Sequence, residues 1–185
     1  MPIEPKTIDD LVIEDPYTHT LNNEQFLHCD FITDGARHLI FTTAQNFQYL
    51  FQATTCLGDG TFRVVPTYFY QLYTLHCEVG ITEDNMRMVP VVYCLTTSKT
   101  KATYVAIFEK IKTLTLDLIG QELKPKNFIT DFEIGAIDAA KRVFPETTMH
   151  GCLFHLAKNV FRRVQKYGLQ SLYVRKDGIF SLLVR

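Results

Sequence analysis

Apolar positions recur with two different periods along the chain, and the change of period marks out its elements. Short apolar runs at 25–31 and 37–43 flank Thr33-Asp34-Gly35, a hairpin pattern with Asp-Gly as the turn. Phe47, Leu50 and Phe51 fall at helical spacing after Thr43, which predicts a helix over 43–53 capped by that threonine. Three strand-like segments follow. Thr61 to Val65 lies between Gly60 and Pro66, Tyr70 to Ile81 has alternating and β-branched character, and Met88 to Thr96 is nearly continuously apolar. The last reads as a strand buried on both faces. Glu83-Asp84-Asn85 is the expected turn before it, and the three strands are expected to form an antiparallel meander.

The period then becomes helical. Ile107, Ile111, Leu114 and Leu118 lie on one face of a helix predicted over 101–119, with Thr100 placed to cap it. A short strand is expected at 126–130. A helix is expected at 132–144 with Ile134, Ile137 and Val143 or Phe144 inward, then a strand at 147–150 and a helix over 152–166. Residues 1–23 are acidic, with few periodic apolar positions, and read as an extended lead-in. After the N-terminal hairpin and helix, the order β-β-β-α-β-α-β-α predicts an α/β fold, a mixed sheet flanked by helices. The organisation expected is a lead-in over 1–53 and a core over 54–185.

Composition narrows this picture. A chain of 185 residues is one domain, or one and a fragment, and 46% hydrophobic residues exclude a disordered polyelectrolyte. The net charge of −1 conceals a gradient. Residues 1–59 carry two basic and nine acidic side chains, a net of −7. Residues 60–140 carry eight and nine, a net of −1, and residues 141–185 carry nine and two, a net of +7. Such asymmetry points to nucleic-acid or membrane contact, or to contact between the ends; a solvated surface with clustered charges gives the same numbers. No apolar stretch approaches the ~20 residues that cross a bilayer. Met1 to Asp15 has no signal-peptide pattern. The five scattered cysteines (Cys29, Cys56, Cys77, Cys94 and Cys152) read as reduced intracellular thiols, with none in a nucleophile context.

Two acids stand where open α/β sheets gather functional groups. Asp59 lies in Gly58-Asp59-Gly60, at the expected start of the meander's first strand. Asp131 follows Phe128-Ile129-Thr130, where a strand hands over to a helix. Each has a plain structural reading: Asp131 as a helix N-cap, Asp59 as a turn residue. If their strands lie side by side, the carboxylates converge and require a cation between them. Oxygen donors then favour Mg²⁺ or Mn²⁺ over Zn²⁺.

These residues carry a resemblance. "LGDGTF" (Leu57–Phe62), "QLYTLH" (Gln71–His76), "VPVVYCLTTSKTKATY" (Val89–Tyr104), "FITDFEIGAIDAAKRVFP" (Phe128–Pro145) and "CLFHLAKNV" (Cys152–Val160) resemble the transposase domain of Mutator-like elements in order and spacing. The segment Arg37 to Phe51, with "LIFTT", resembles what precedes that domain. The likeness implies a ribonuclease H-like fold with an Asp-Asp-Glu site that cuts and joins DNA with two divalent metals, Mg²⁺ or Mn²⁺. It puts the first acid on Asp59 and the second on Asp131. The third, a Glu, belongs beyond the Cys-x-x-His motif and a helical insertion, so it is expected past Arg185, and the core over 54–185 is expected to be incomplete, ending before the last catalytic helix. Asp177 reads as a surface turn residue, and Glu133, within "TDFE", is not the missing Glu. The expectation is therefore that this chain does not cleave DNA by itself. The likeness further implies a nuclear location, DNA as partner, a homo-oligomer as an open option, and neither a membrane nor a small-molecule cofactor.

Cys152 and His155 share a helix face. Two such ligands can begin a zinc site, whereas a structural site takes four. His150 can join only if the chain is non-helical there, and a packed Cys with a hydrogen-bonded His is the other reading. On the same helix Leu153, Leu156, Val160 and Val164 are the predicted buried stripe. Lys158, Arg162 and Lys166 lie opposite, with Arg163 at the edge. This is a stripe suited to DNA phosphates, or an ordinary solvated face. Tyr68, Phe69, Tyr70 and Tyr73 are assigned to sheet faces and the strand turn rather than to base stacking. The alternative to a transposase is a transposon-derived module that binds DNA or protein without cutting. A small-molecule enzyme would need a pocket motif that the sequence lacks.

Overall fold

The Asp-Gly turn is where the sequence pattern and the backbone meet most directly. β1 (Leu27–Thr33) and β2 (Ala36–Phe41) pair antiparallel across it. Asp34 (φ 50°) and Gly35 (φ 74°) both take the left-handed conformation that a two-residue hairpin requires. The structure, a computed structural model, describes residues 5–80, 82 and 85–173. Ile81, Glu83, Asp84 and Asp177, which the sequence reading used, lie outside the described residues. The chain divides into two compact units, Met1–His150 and Gly151–Arg185.

The sheet has seven strands in the order β1-β2-β5-β4-β3-β6-β7. The remaining strands are β3 (Thr55–Thr61), β4 (Gln71–Val79), β5 (Arg87–Thr96), β6 (Asn127–Thr130) and β7 (Thr148–Gly151). β3, β4 and β5 form the expected antiparallel meander, and the hairpin joins it through β2 on β5. β6 returns parallel to β3, with α2 (Lys101–Ile119) in the crossover. α1 (Ala44–Gln52) precedes the meander, and α3 (Ile134–Val143) links β6 to β7. This mixed sheet flanked by helices is a ribonuclease H-like α/β fold. The predicted caps are present: Thr43 accepts from the Asn46 amide at 3.1 Å, and Thr100 from the Thr103 amide at 3.2 Å.

Four local expectations change. The first meander strand is Thr55–Thr61, not Thr61 to Val65. Gly58 and Gly60, which read as turn residues, sit inside it. β5 is exposed through its first half and buried only from Val91 onward. β2 pairs only with Tyr93–Thr96, and the register against β4 slips between Leu75 and His76. Pro90 is tolerated there because a bulge and an unpaired edge do not need its missing N–H. In α2 the buried face is Tyr104, Ile107, Phe108, Ile111 and Thr115, whereas Leu118 is exposed in the last turn before Gly120. In α3 Ile134 is exposed, and Ala136, Ala139, Ala140 and Val143 face inward. Small side chains let α3 approach closely: a Cβ on its Gly135 would stand 3.4 Å from the Lys101 amide nitrogen.

The core lies on the side of the sheet that α1 and α2 cover. It includes Phe47, Leu50, Tyr73, Leu75, Tyr104, Phe108 and Phe128. Among its polar groups, Gln71 pairs with the Tyr104 hydroxyl at 2.9 Å and His38 Nδ1 with the Thr96 hydroxyl at 2.8 Å. The lead-in is pinned by Arg37, which donates to the carbonyls of Ile8 (2.6 Å) and Leu11 (2.8 Å) and pairs with Asp30.

Gly58 is the tightest point. A Cβ there would lie 2.9 Å from Tyr73 Cζ and 3.1 Å from Phe128 Cε1, both rings being buried in the core. Gly58→Ala is expected to destabilise the domain by about 3 kcal/mol, because neither ring has room to move. Adding Tyr73→Phe, which removes the nearest atom, should restore part of the loss. Urea unfolding of the two variants checks this.

Candidate active site at the carboxyl ends of two parallel strands

In the parallel pairing of β3 with β6, Cys56 is opposite Phe128, Leu57 opposite Ile129 and Gly58 opposite Thr130. The next residue on each strand is an acid, Asp59 and Asp131. Neighbouring strands lie ~4.8 Å apart, so the two positions are adjacent at the same end of the sheet. Gly58 and Thr130 face the core; alternation turns Asp59 to the other face, where it pairs across with Thr74 of β4.

Neither plain structural reading of these acids survives. Asp59 shapes no turn, because it stands within β3. Asp131 is not the N-cap of α3; that position is Glu133, which makes no side-chain cap bond. Asp131 stands two residues earlier and accepts the Glu133 amide at 3.1 Å, an Asx-type turn that leaves its other oxygen outside this bond.

Polar groups surround the pair. The Thr74 hydroxyl donates to the Asp59 carbonyl at 3.3 Å and contacts His76 Nε2 at 2.9 Å. Burial lowers the pKa of His76, and the charge of Asp59 opposes that shift. Beyond the acids, the Lys99 pKa is raised, first by Tyr70 and also by Glu133 and Asp131. His76, Lys99 and Glu133 all lie within segments that carry the sequence resemblance. Sequence alone gave none of them a part here, because β4 and the loop before α2 reach this end only in the folded sheet. Among the described residues, no group of three or more His, Cys, Asp or Glu side chains could hold a metal ion.

The other predicted site residues lie in the second unit. α4 (Leu153–Lys166) begins with Cys152 as its N-cap, and His155 lies in its first turn, edge-on to Phe154. His150 contacts the Asn127 side chain at 3.0 Å. The predicted buried stripe of α4 is corrected: Leu153, Leu156 and Val160 are exposed, and Val164 alone is buried. Among the described residues of this unit, α4 is followed by one short helix, α5 (Gln170–Tyr173), whose Tyr173 ring meets Phe161. It covers too little to bury the stripe. Lys158, Arg162, Arg163 and Lys166 are exposed along α4. Lys158 reaches over the exposed Phe154 ring at 5.7 Å.

All five cysteines are free thiols. Cys56 and Cys77 face each other across β3 and β4, and burial pushes them up to about 12 and about 11, so neither supplies a thiolate near neutral pH. No helix among the described residues is long and apolar enough to cross a membrane.

A family model described as the MULE transposase domain matches residues 54–159, which span β3 to the middle of α4. Two curated relatives are each 27% identical over 106 residues. Both are described as the transposase for insertion sequence element IS256 in transposon Tn4001, one from Staphylococcus aureus and one from Enterococcus faecalis. The match takes in 57% of this chain and 25% of each relative, so the chain spans about a quarter of their length.

The geometry of Asp131 yields a direct expectation. Asp131→Asn keeps an acceptor for the Glu133 amide and should leave stability nearly unchanged, whereas Asp131→Ala should cost about 1 kcal/mol. Urea midpoints of the two variants check it.

Proposed function

The chain belongs to the MULE transposase domain family, and from that premise we propose that it contributes to chemistry on DNA phosphodiester bonds in the whole protein, with Asp59 and Asp131 as its carboxylate pair. The observation that carries this reading is the register of β3 on β6, which makes the two acids neighbours. Carboxylates so placed repel unless a cation shares them. Their donor set suits Mg²⁺ or Mn²⁺, which take one or two protein carboxylates and leave other positions to water and phosphate oxygens. When bound there, such ions would activate the attacking oxygen and stabilise the leaving one.

The chain's own residues contribute orientation. The Glu133 amide fixes one oxygen of Asp131, and the Thr74 hydroxyl ties β4 to the Asp59 carbonyl. The Asp131 carboxylate is then aimed before substrate arrives, which lowers the cost of ordering at the moment of reaction. Lys158, Arg162, Arg163 and Lys166 supply exposed positive charge on α4 for the DNA backbone. Cutting and joining DNA through an Asp-Asp-Glu site, as activities of a whole protein, form part of this proposal.

Mn²⁺ titration of the 185-residue chain, followed by water-proton relaxation, tests it. Asp59→Asn and Asp131→Asn are each expected to weaken binding about tenfold or more, since each removes one of two charges at the site. Binding equal to wild type in both variants would sink the metal reading and favour the non-catalytic module that binds DNA or protein. A second measurement addresses α4. Replacing Lys158, Arg162 and Lys166 by Gln should flatten the salt dependence of DNA binding, and an unchanged slope would remove the helix from the interface.

A further inference from the structure

Between β3 and β4 the chain carries four aromatic residues, and packing explains two of them. Phe69 is buried, and the Tyr68 hydroxyl donates to the Pro5 carbonyl. Phe62 and Tyr70 are different: they are 43% and 46% exposed, edge to face, with centroids 5.7 Å apart. Lys99 Nζ stands 5.3 Å from the Phe62 centroid and 5.2 Å from that of Tyr70. Core packing does not account for this trio; the sequence reading assigned Tyr70 to the sheet faces and the strand turn.

Its position is informative. Phe62 is the first residue past β3, three beyond Asp59, and Tyr70 immediately precedes β4. Lys99 lies in the electrostatic neighbourhood of Asp131 and Glu133. Arg63, also exposed, adds a second positive charge to the loop. Two open rings and two cations are the complement of a base and its phosphate. An apolar peptide would leave the cations unpaired. A duplex hides its base faces in the stack, whereas an unpaired base presents one.

Resting on the reading of Asp59 and Asp131 above, we propose that Phe62, Tyr70 and Lys99 form a subsite for one unpaired nucleotide of a DNA strand beside those acids. The rings receive the base, and the ammonium swings from the rings to its phosphate. Stacking of this kind tolerates any base, because each has a π-face. The subsite would hold a strand in register with the carboxylates without reading its sequence.

Fluorescence anisotropy of the 185-residue chain with a labelled oligothymidine, in EDTA, tests the subsite, with duplex of the same length as competitor. Wild type should bind the single strand more tightly than the duplex. Phe62→Ala and Tyr70→Ala should each weaken single-strand binding about tenfold, and Phe62→Tyr, which keeps a ring, should stay within about twofold. Lys99→Gln should reduce the slope of log affinity against log salt by about 0.7, one phosphate contact on a single strand. Because both rings are exposed, the variants should melt with wild type, and the Tyr variant guards against a folding effect. Both alanine variants binding within about twofold of wild type, or a wild type that binds duplex better or no oligonucleotide at all, would overturn the proposal. With EDTA present the result is independent of whether Asp59 and Asp131 hold a metal ion, so failure here and failure of the Mn²⁺ titration are separate outcomes.

Discussion

Tyr73 occupies the space that a side chain at position 58 would need, and the acidic end of the sheet is built around that contact. The Tyr73 ring packs on Tyr104 and Phe108 of α2, with centroids 5.0 and 5.9 Å away. Phe108 in turn meets Phe128 of β6 at 5.6 Å. The bare backbone at Gly58 lets β3 run beneath these rings with β4 on one side and β6 on the other. The same contact therefore sets the register that makes Asp59 and Asp131 neighbours. A bulkier β3 would have to shift, and a shift of one residue would turn Asp59 to the opposite face.

Charge follows from the same arrangement. The acidic first third is held down in part by one of its two bases, Arg37, which bonds two lead-in carbonyls and Asp30. Asp59, the last acid of that third, is placed by β3 beside an acid from more than seventy residues later. At the other end of the chain, the positive excess lies partly on α4, with an exposed apolar stripe beside it. The near-neutral total reflects the cancellation of an acidic first third and a basic last stretch.

Much of the fold was legible because it follows from local rules. The hairpin needed Asp-Gly, α1 and α2 needed a threonine cap and a helical period, and all three are where the pattern placed them. The failures have physical causes as well. Glycine signals a turn when read alone, yet at Gly58 and Gly60 it marks close approach of side chains from neighbouring strands. Large aliphatic residues signal a buried face, yet α3 buries alanines because close helix packing favours small side chains. On α4 the helical period was right, but period alone does not say whether a face has a partner.

By itself the sequence determined which segments become strands and helices, which two acids deserved attention, and a likeness whose family the match over 54–159 bears out. Those properties are local or are carried by the order of residues. Only the tertiary structure decided that Asp59 lies within a strand and Asp131 outside a cap. It also decided that Thr74, His76, Lys99 and Glu133 gather near them, and that Phe62 and Tyr70 stay open to solvent. These are consequences of strand register and of side chains competing for the same space. Residues far apart in the chain settle both, and no window along the sequence contains them.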